Sequence, residues 1–160
     1  MEKVFDLVKL ALDNEIRAKA FYEGASEITS DGESQMVFIE LAGMEDQHAQ
    51  LIVNRFGDIF QREGFDAAGH VQQAASNKAL VMESEGGEVI KRGDMRSVVE
   101  FAIAKEIGAR DNYRQLASQV NREEQRALCE DLATEEQKHH DLLSNLRISM
   151  DTPLDERPAL

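Results

Sequence analysis

Two pairs of residues in this sequence have the types and spacing to do chemistry together. Glu45 and His48 stand three apart, and the pattern recurs at Glu136 and His139. On a helix, residues three apart share a face about 5–6 Å from one another, so each Glu-x-x-His can grip one point in space. One such motif is a weak signal, because Glu is common. Here the motif belongs to an internal repeat. An offset of 91 residues lays "LAGMEDQHAQLI" (41–52) over "LATEEQKHHDLL" (132–143), and "LALDNEIRAKAFY" (10–22) over "FAIAKEIGARDNY" (101–113). The repeat therefore pairs Glu15 with Glu106 and Tyr22 with Tyr113 as well as returning the Glu-x-x-His.

All six of these Glu and His residues fall on stripes that are otherwise apolar. Four carboxylates crowded into a core would drive one another's pKa values upward until most were protonated, and each isolated buried charge costs several kcal/mol. Cations remove the conflict, and two divalent ions balance four carboxylates. The expected centre is dinuclear, with Glu45 and Glu136 bridging, Glu15 and Glu106 terminal, and one His to each metal. Imidazole and carboxylate donors without a thiolate suit iron or manganese, and zinc or cobalt fit the same groups. Coordination positions left open would allow oxygen chemistry. His70 lacks the preceding Glu, His140 is one residue off the inward face, and Cys129 reads as a buried, inert thiol.

Four helices must position these residues. The first spans about residues 2–29 on a stripe including Val8, Leu12, Tyr22 and Ala25. In "SDGE" (30–33), Ser30 and Glu33 have capping-box spacing, which starts a second helix running to about Arg62 with a stop near Gly64. Residues 65–93 lose the strong periodicity and read as a long crossing connection with a short helix near 76–84. Asp94 caps a third helix, and Asn121 with Glu124 starts a fourth. The expected fold is all-α: a four-helix bundle of two helical hairpins joined by a long crossover, one domain over residues 1–150 with a tail at 151–160.

Composition agrees. The 160 residues are 42% apolar and 31% charged with two prolines, and 31 acidic against 18 basic residues leave a net charge of −13. Such a chain repels phosphate backbones and anionic membrane surfaces, so no nucleic acid and no membrane is expected as partner. The single Cys129 excludes an internal disulfide and a Cys-x-x-Cys metal knuckle, which fits a cytoplasmic location. Asp6, Lys9 and Asp13 interrupt the N-terminal apolar run at helical spacing, as an amphipathic helix requires and a signal segment does not.

Glu15, Glu45-x-x-His48, Glu106 and Glu136-x-x-His139 on four helices resemble the ferritin-like di-iron carboxylate proteins, most closely the rubrerythrin branch. That resemblance implies two iron ions cycling between Fe2+ and Fe3+, oxo-bridged when oxidised, that react with hydrogen peroxide or dioxygen in peroxidase or ferroxidase chemistry. It also implies that Tyr22 and Tyr113 hydrogen-bond to ligand carboxylates. Rubrerythrin proper adds a rubredoxin domain with Cys-x-x-Cys pairs, which this sequence lacks, so the implied electron donor is an external protein. Rubrerythrin also carries an extra Glu where this chain has Ala109, mirrored by Ala18, and the centre reads as the symmetric bacterioferritin type. A homodimer is expected, with hairpins that the crossover would allow to be exchanged. The alternative within the class is an iron-handling or iron-storage protein.

Overall fold

A computed structural model describes residues 3–76 and 85–156. Its helices are α1 (Val4–Ile28), α2 (Gly32–Arg55), α3 (Gly57–Arg62), α4 (Ala67–Ser76), α5 (Glu85–Arg92), α6 (Met95–Gln119) and α7 (Glu123–Asp151), followed by a 3-10 turn at Leu154–Glu156. There is no strand among the described residues, and none of their helices is long and apolar enough to cross a membrane. The short helix expected near 76–84 lies outside the described residues, apart from Ser76, which ends α4.

The long helices form two hairpins, α1–α2 and α6–α7, clasped by polar contacts that are themselves repeat-mates. Lys19 Nζ donates to Asp46 Oδ1 at 2.9 Å, and 91 residues later Arg110 Nη1 donates to Gln137 Oε1 at 2.6 Å. Apolar residues divide into two clusters. One gathers the start of α1 (Val8, Leu12), the end of α2 (Ile52), the end of α6 (Leu116) and the start of α7 (Cys129, Leu132). The other gathers the opposite ends of the same helices, with Tyr22, Phe38, Leu41, Val99, Leu143 and Leu146. Helix α1 is therefore antiparallel to α2 and to α6, and the middle of the bundle lies between two dry ends.

Local signals explain most helix boundaries, with two corrections. Asp94 caps α6 as expected, its Oδ1 accepting from the Arg96 backbone N–H at 3.1 Å. The cap of α2 is Asp31 rather than Ser30: its Oδ2 accepts from the Ser34 backbone N–H at 3.2 Å and from the Ser34 hydroxyl at 2.6 Å. An Asp serves this position as well as a Ser does, and here it takes two donors at once. Helix α7 starts after Arg122 without a side-chain cap, so Asn121 does not fill that role; Glu123 and Glu124 instead place negative charge at the helix's positive end. The second helix pauses at Phe56, which leaves helical geometry at φ −105°, ψ 16° while its ring stays buried. It resumes as α3, which ends at Arg62, and Gly64 follows with a φ of 67° that favours glycine.

The crossover contains more helix than its weak periodicity suggests. Helix α4 rests at the first cluster, where Asp13 accepts from Lys9 Nζ at 2.8 Å and lies 2.6 Å from His70 Nε2. Helix α5 rests at the second, through buried Ile90. Burial would raise the Asp13 pKa, but the hydrogen bonds and charges of Lys9 and His70 outweigh it and hold the carboxyl below its ordinary value. A lowered carboxylate pKa adds stability above the unfolded pKa and loses it as pH falls through the folded one. Asp13→Asn is expected to lose about 1 kcal/mol at neutral pH, with the difference from the parent closing below about pH 3.9. Urea unfolding at several pH values checks it, and a gap that persists in acid would refute this electrostatic account of the anchor.

Candidate metal centre

Between the two apolar clusters each long helix contributes polar side chains at the same level: Glu15 from α1, Glu45 and His48 from α2, Glu106 from α6, Glu136 and His139 from α7. None of the six is more than 4% exposed. The structure thus brings together in one chain every Glu and His that the repeat singles out.

Their arrangement resolves into two overlapping groups. Glu15, Glu45, His48 and Glu136 offer atoms within 4.8 Å of one another, and so do Glu45, Glu106, Glu136 and His139. Glu45 and Glu136 belong to both. His48 Nδ1 lies 3.5 Å from Glu15 Oε2, 3.4 Å from Glu45 Oε2 and 3.2 Å from Glu136 Oε1. His139 Nδ1 lies 3.2 Å from Glu45 Oε1, 3.7 Å from Glu106 Oε2 and 3.1 Å from Glu136 Oε2. The two imidazoles stack 5.4 Å apart at an interplanar angle of 10°.

Several of these atoms converge without hydrogen bonding. Glu15 Oε2, Glu45 Oε1, Glu136 Oε2 and both ring nitrogens of His139 are buried and have no hydrogen-bond partner. A protein core rarely leaves so many polar atoms unsatisfied, and each costs about 1–3 kcal/mol if it stays so. Cations at the two convergence points would satisfy them, so the donor set fits a pair of metal ions.

The tyrosines complete the carboxylate geometry by crossing between hairpins. The Tyr22 hydroxyl donates to Glu106 Oε1 and the Tyr113 hydroxyl donates to Glu15 Oε1. Each terminal carboxylate thus spends one oxygen on a tyrosine and turns Oε2 toward a histidine. Burial, followed by the nearby carboxylate charges, raises both tyrosines well above 10, so they remain donors throughout the physiological range.

Glu135 is the neighbour that the sequence reading missed. One of its carboxylate oxygens lies within 4.8 Å of a ring nitrogen of His48 and of His139, and Lys138 Nζ donates to it at 2.7 Å. Its position four residues before His139 was the available signal, obscured because its repeat-mate is Met44. Other titratable groups stay apart from the centre. His140 pairs with Asp141 at 3.0 Å, and burial followed by Glu130 pushes the Cys129 thiol up to about 12.

A bundle of two repeated hairpins with carboxylates and histidines at its middle is the ferritin-like architecture, here among all-α proteins with a carboxylate and histidine core. Residues 97–159, which cover nearly all of α6 and the whole of α7, match the rubrerythrin family model. Over that stretch, which is less than half of its length, the chain is similar to the rubrerythrins. No curated protein and no solved structure gave a significant match.

The electrostatics of the metal-free cluster yield a test. Burial, then the Glu15 charge, raises Glu136 to about 8 and raises Glu45 well above its ordinary value. Burial alone would lower His139, but Glu106, Glu136 and Glu45 outweigh it and push the imidazole up to about 12; His48 is raised in the same way by Glu136, Glu15 and Glu45. Burial would raise Glu15 too, yet Glu45 and His48 beside it hold it down to about 2. Glu45, Glu136, His48 and His139 therefore hold protons at neutral pH that they must surrender as ligands. Divalent metal uptake is expected to release protons and to tighten as pH rises. Calorimetric titration in buffers of different ionisation enthalpy measures the release, and uptake without it would contradict this protonation scheme.

Proposed function

We propose that the protein is a non-haem di-iron oxidoreductase that reduces hydrogen peroxide or dioxygen and is re-reduced by a separate electron-donor protein. One observation carries this reading: two donor groups, each with one histidine and one unshared glutamate, are joined by Glu45 and Glu136. A structural staple would not need the sharing. Two iron ions held there would supply two one-electron changes beside each other, with open positions for a small oxidant. Glu15 and His48 would hold one ion, Glu106 and His139 the other, and Glu45 with Glu136 would bridge them.

The chain's own groups then perform three tasks. The crossed tyrosines fix the rotamers of Glu15 and Glu106, so these carboxylates keep their orientation whichever oxidation state they face. Four carboxylates cancel the charge of two ferrous ions, which removes the repulsion that otherwise loosens the core. The apolar clusters at either end exclude water along the bundle axis, which strengthens the electrostatics at its middle.

Anaerobic iron-loaded protein is expected to consume one hydrogen peroxide per two ferrous ions, with an optical change that a reductant reverses. Tyr22→Phe with Tyr113→Phe should slow this by about tenfold to a hundredfold, the range usual for groups that orient ligands. Peroxide loss no faster than with free ferrous iron would overturn the reading. Continued iron uptake well beyond two ions per chain would favour the iron-storage alternative, for which the net charge of −13 is an attraction.

A further inference from the structure

Between α1 and α6 a cavity of about 610 Å³ opens onto the carboxylate cluster, with Glu15, Glu45, Glu106 and Glu136 at its floor. Hydrogen peroxide needs far less, since a water molecule's share of the liquid is about 30 Å³. The volume lies instead within the roughly 300–1,000 Å³ of pockets that take small organic molecules.

The walls specify what such a molecule would carry. Ala18 and Ala109, repeat-mates on facing helices, line the cavity with nothing beyond methyl groups. Phe21 and Phe101 form an apolar wall, their ring centroids 5.1 Å apart. Helix α5 rests directly on that wall: a Cβ at Gly86 would lie 3.0 Å from Phe21 and 3.3 Å from Phe101, so only glycine lets the backbone come so close.

Arg17 and Lys105 also line the cavity and are exposed. Neither has an ion-pair partner among the described residues, although the chain is strongly acidic; Lys105 lies 5.2 Å over the Phe101 ring. Their repeat-mates are Gly108 and Asn14, which line the same cavity without charge. Glu85 is the one carboxylate outside the floor that lines it among the described residues. Each cation thus stands on one copy only of a symmetric seam, and among the described residues neither is held in an ion pair.

We propose that this groove binds a medium-chain organic acid bearing a hydroperoxide. Its carboxylate is held by Arg17 and Lys105, its hydrocarbon lies along Phe21, Phe101 and the alanines, and its O–O group faces the floor. This assignment rests on the peroxide-reducing reading above and names its substrate class. The O–O bond breaks, one oxygen staying on the acid as a hydroxyl and the other leaving as water. Two electrons from the external donor protein and two protons from solvent complete the balance.

Binding is tested by calorimetry on the whole chain as purified, with sodium octanoate, 1-octanol and inorganic phosphate as separate probes. Octanoate is expected to bind more tightly than either of the others, and R17Q/K105Q to weaken it about tenfold, the sum of two partly exposed charge contacts. Circular dichroism of that variant checks its fold. Octanoate binding no tighter than octanol, or unaltered in R17Q/K105Q, overturns the site. Phosphate binding as tightly as octanoate overturns the organic acid in favour of any anion. Because these titrations involve no turnover, they stand or fall separately from peroxide reduction. The substrate assignment has its own measurement: iron-loaded protein should convert an acid hydroperoxide to the hydroxy acid, seen by mass. Octanoate binding with hydrogen peroxide consumed but no hydroxy acid formed would overturn it.

Discussion

Four carboxylates sealed from water within one bundle layer are the constraint on which the rest of this structure depends. Glu15, Glu45, Glu106 and Glu136 repel one another at short range in a medium that screens poorly. Burial and the Glu15 charge raise the pKa values of Glu45 and Glu136, and the surrounding carboxylates raise those of both histidines. Such shifts ease the charge but not the geometry, since buried oxygens and both nitrogens of His139 lack hydrogen bonds. The apolar clusters on either side must supply the stability that the middle layer withholds. Their division into two, rather than one continuous core, is the physical consequence of placing polar chemistry at the bundle's centre.

The internal repeat supplies the symmetry that this layer needs, and the two copies differ in what surrounds it. The six donors, the crossed tyrosines and the Lys19–Asp46 and Arg110–Gln137 clasps all obey the 91-residue offset. Each tyrosine reaches the other hairpin's glutamate, so the hydrogen bonds that orient the donors also join the two copies. Departures from the offset fall around the centre: Glu135 stands opposite Met44, Arg17 opposite Gly108, Lys105 opposite Asn14. Two equivalent donor groups thus differ in their neighbours.

The same symmetry governed what could be read from sequence. The four long helices and the meeting of Glu15, Glu45, His48, Glu106, Glu136 and His139 were legible because a repeated pattern carries more information than any single motif. Boundary chemistry was less legible. In "SDGE" both Ser30 and Asp31 can cap a helix, and only the contact to Ser34 decides between them. The pause at Phe56 leaves no periodic trace, because the aromatic stays buried through the break. Helices α4 and α5 were hidden because short helices held by tertiary contacts need no strong stripe; a few anchors such as His70 on Asp13 and Ile90 in the core suffice. Glu135 and the unpaired cations Arg17 and Lys105 were illegible for the opposite reason, since they break the repeat.

The crossover also decides which side of the bundle is open. Helices α1 and α2, like α6 and α7, are joined by tight turns and clasped by the Lys19–Asp46 and Arg110–Gln137 contacts. The seam between α1 and α6 joins the two copies, and there small residues, Ala18, Ala102, Gly108 and Ala109, leave room between the larger ones that line the gap. Helix α4 is tied to Asp13 at one end of the bundle, and α5 sits on Phe21 and Phe101 toward the other. Between these supports the seam leads directly to the oxygens that converge at the centre. The connection that allows two hairpins to face each other therefore also leaves an approach to the residues they bring together, and apart from Glu85 the described residues that wall it above the floor are apolar, amide or cationic rather than the acids that dominate the chain.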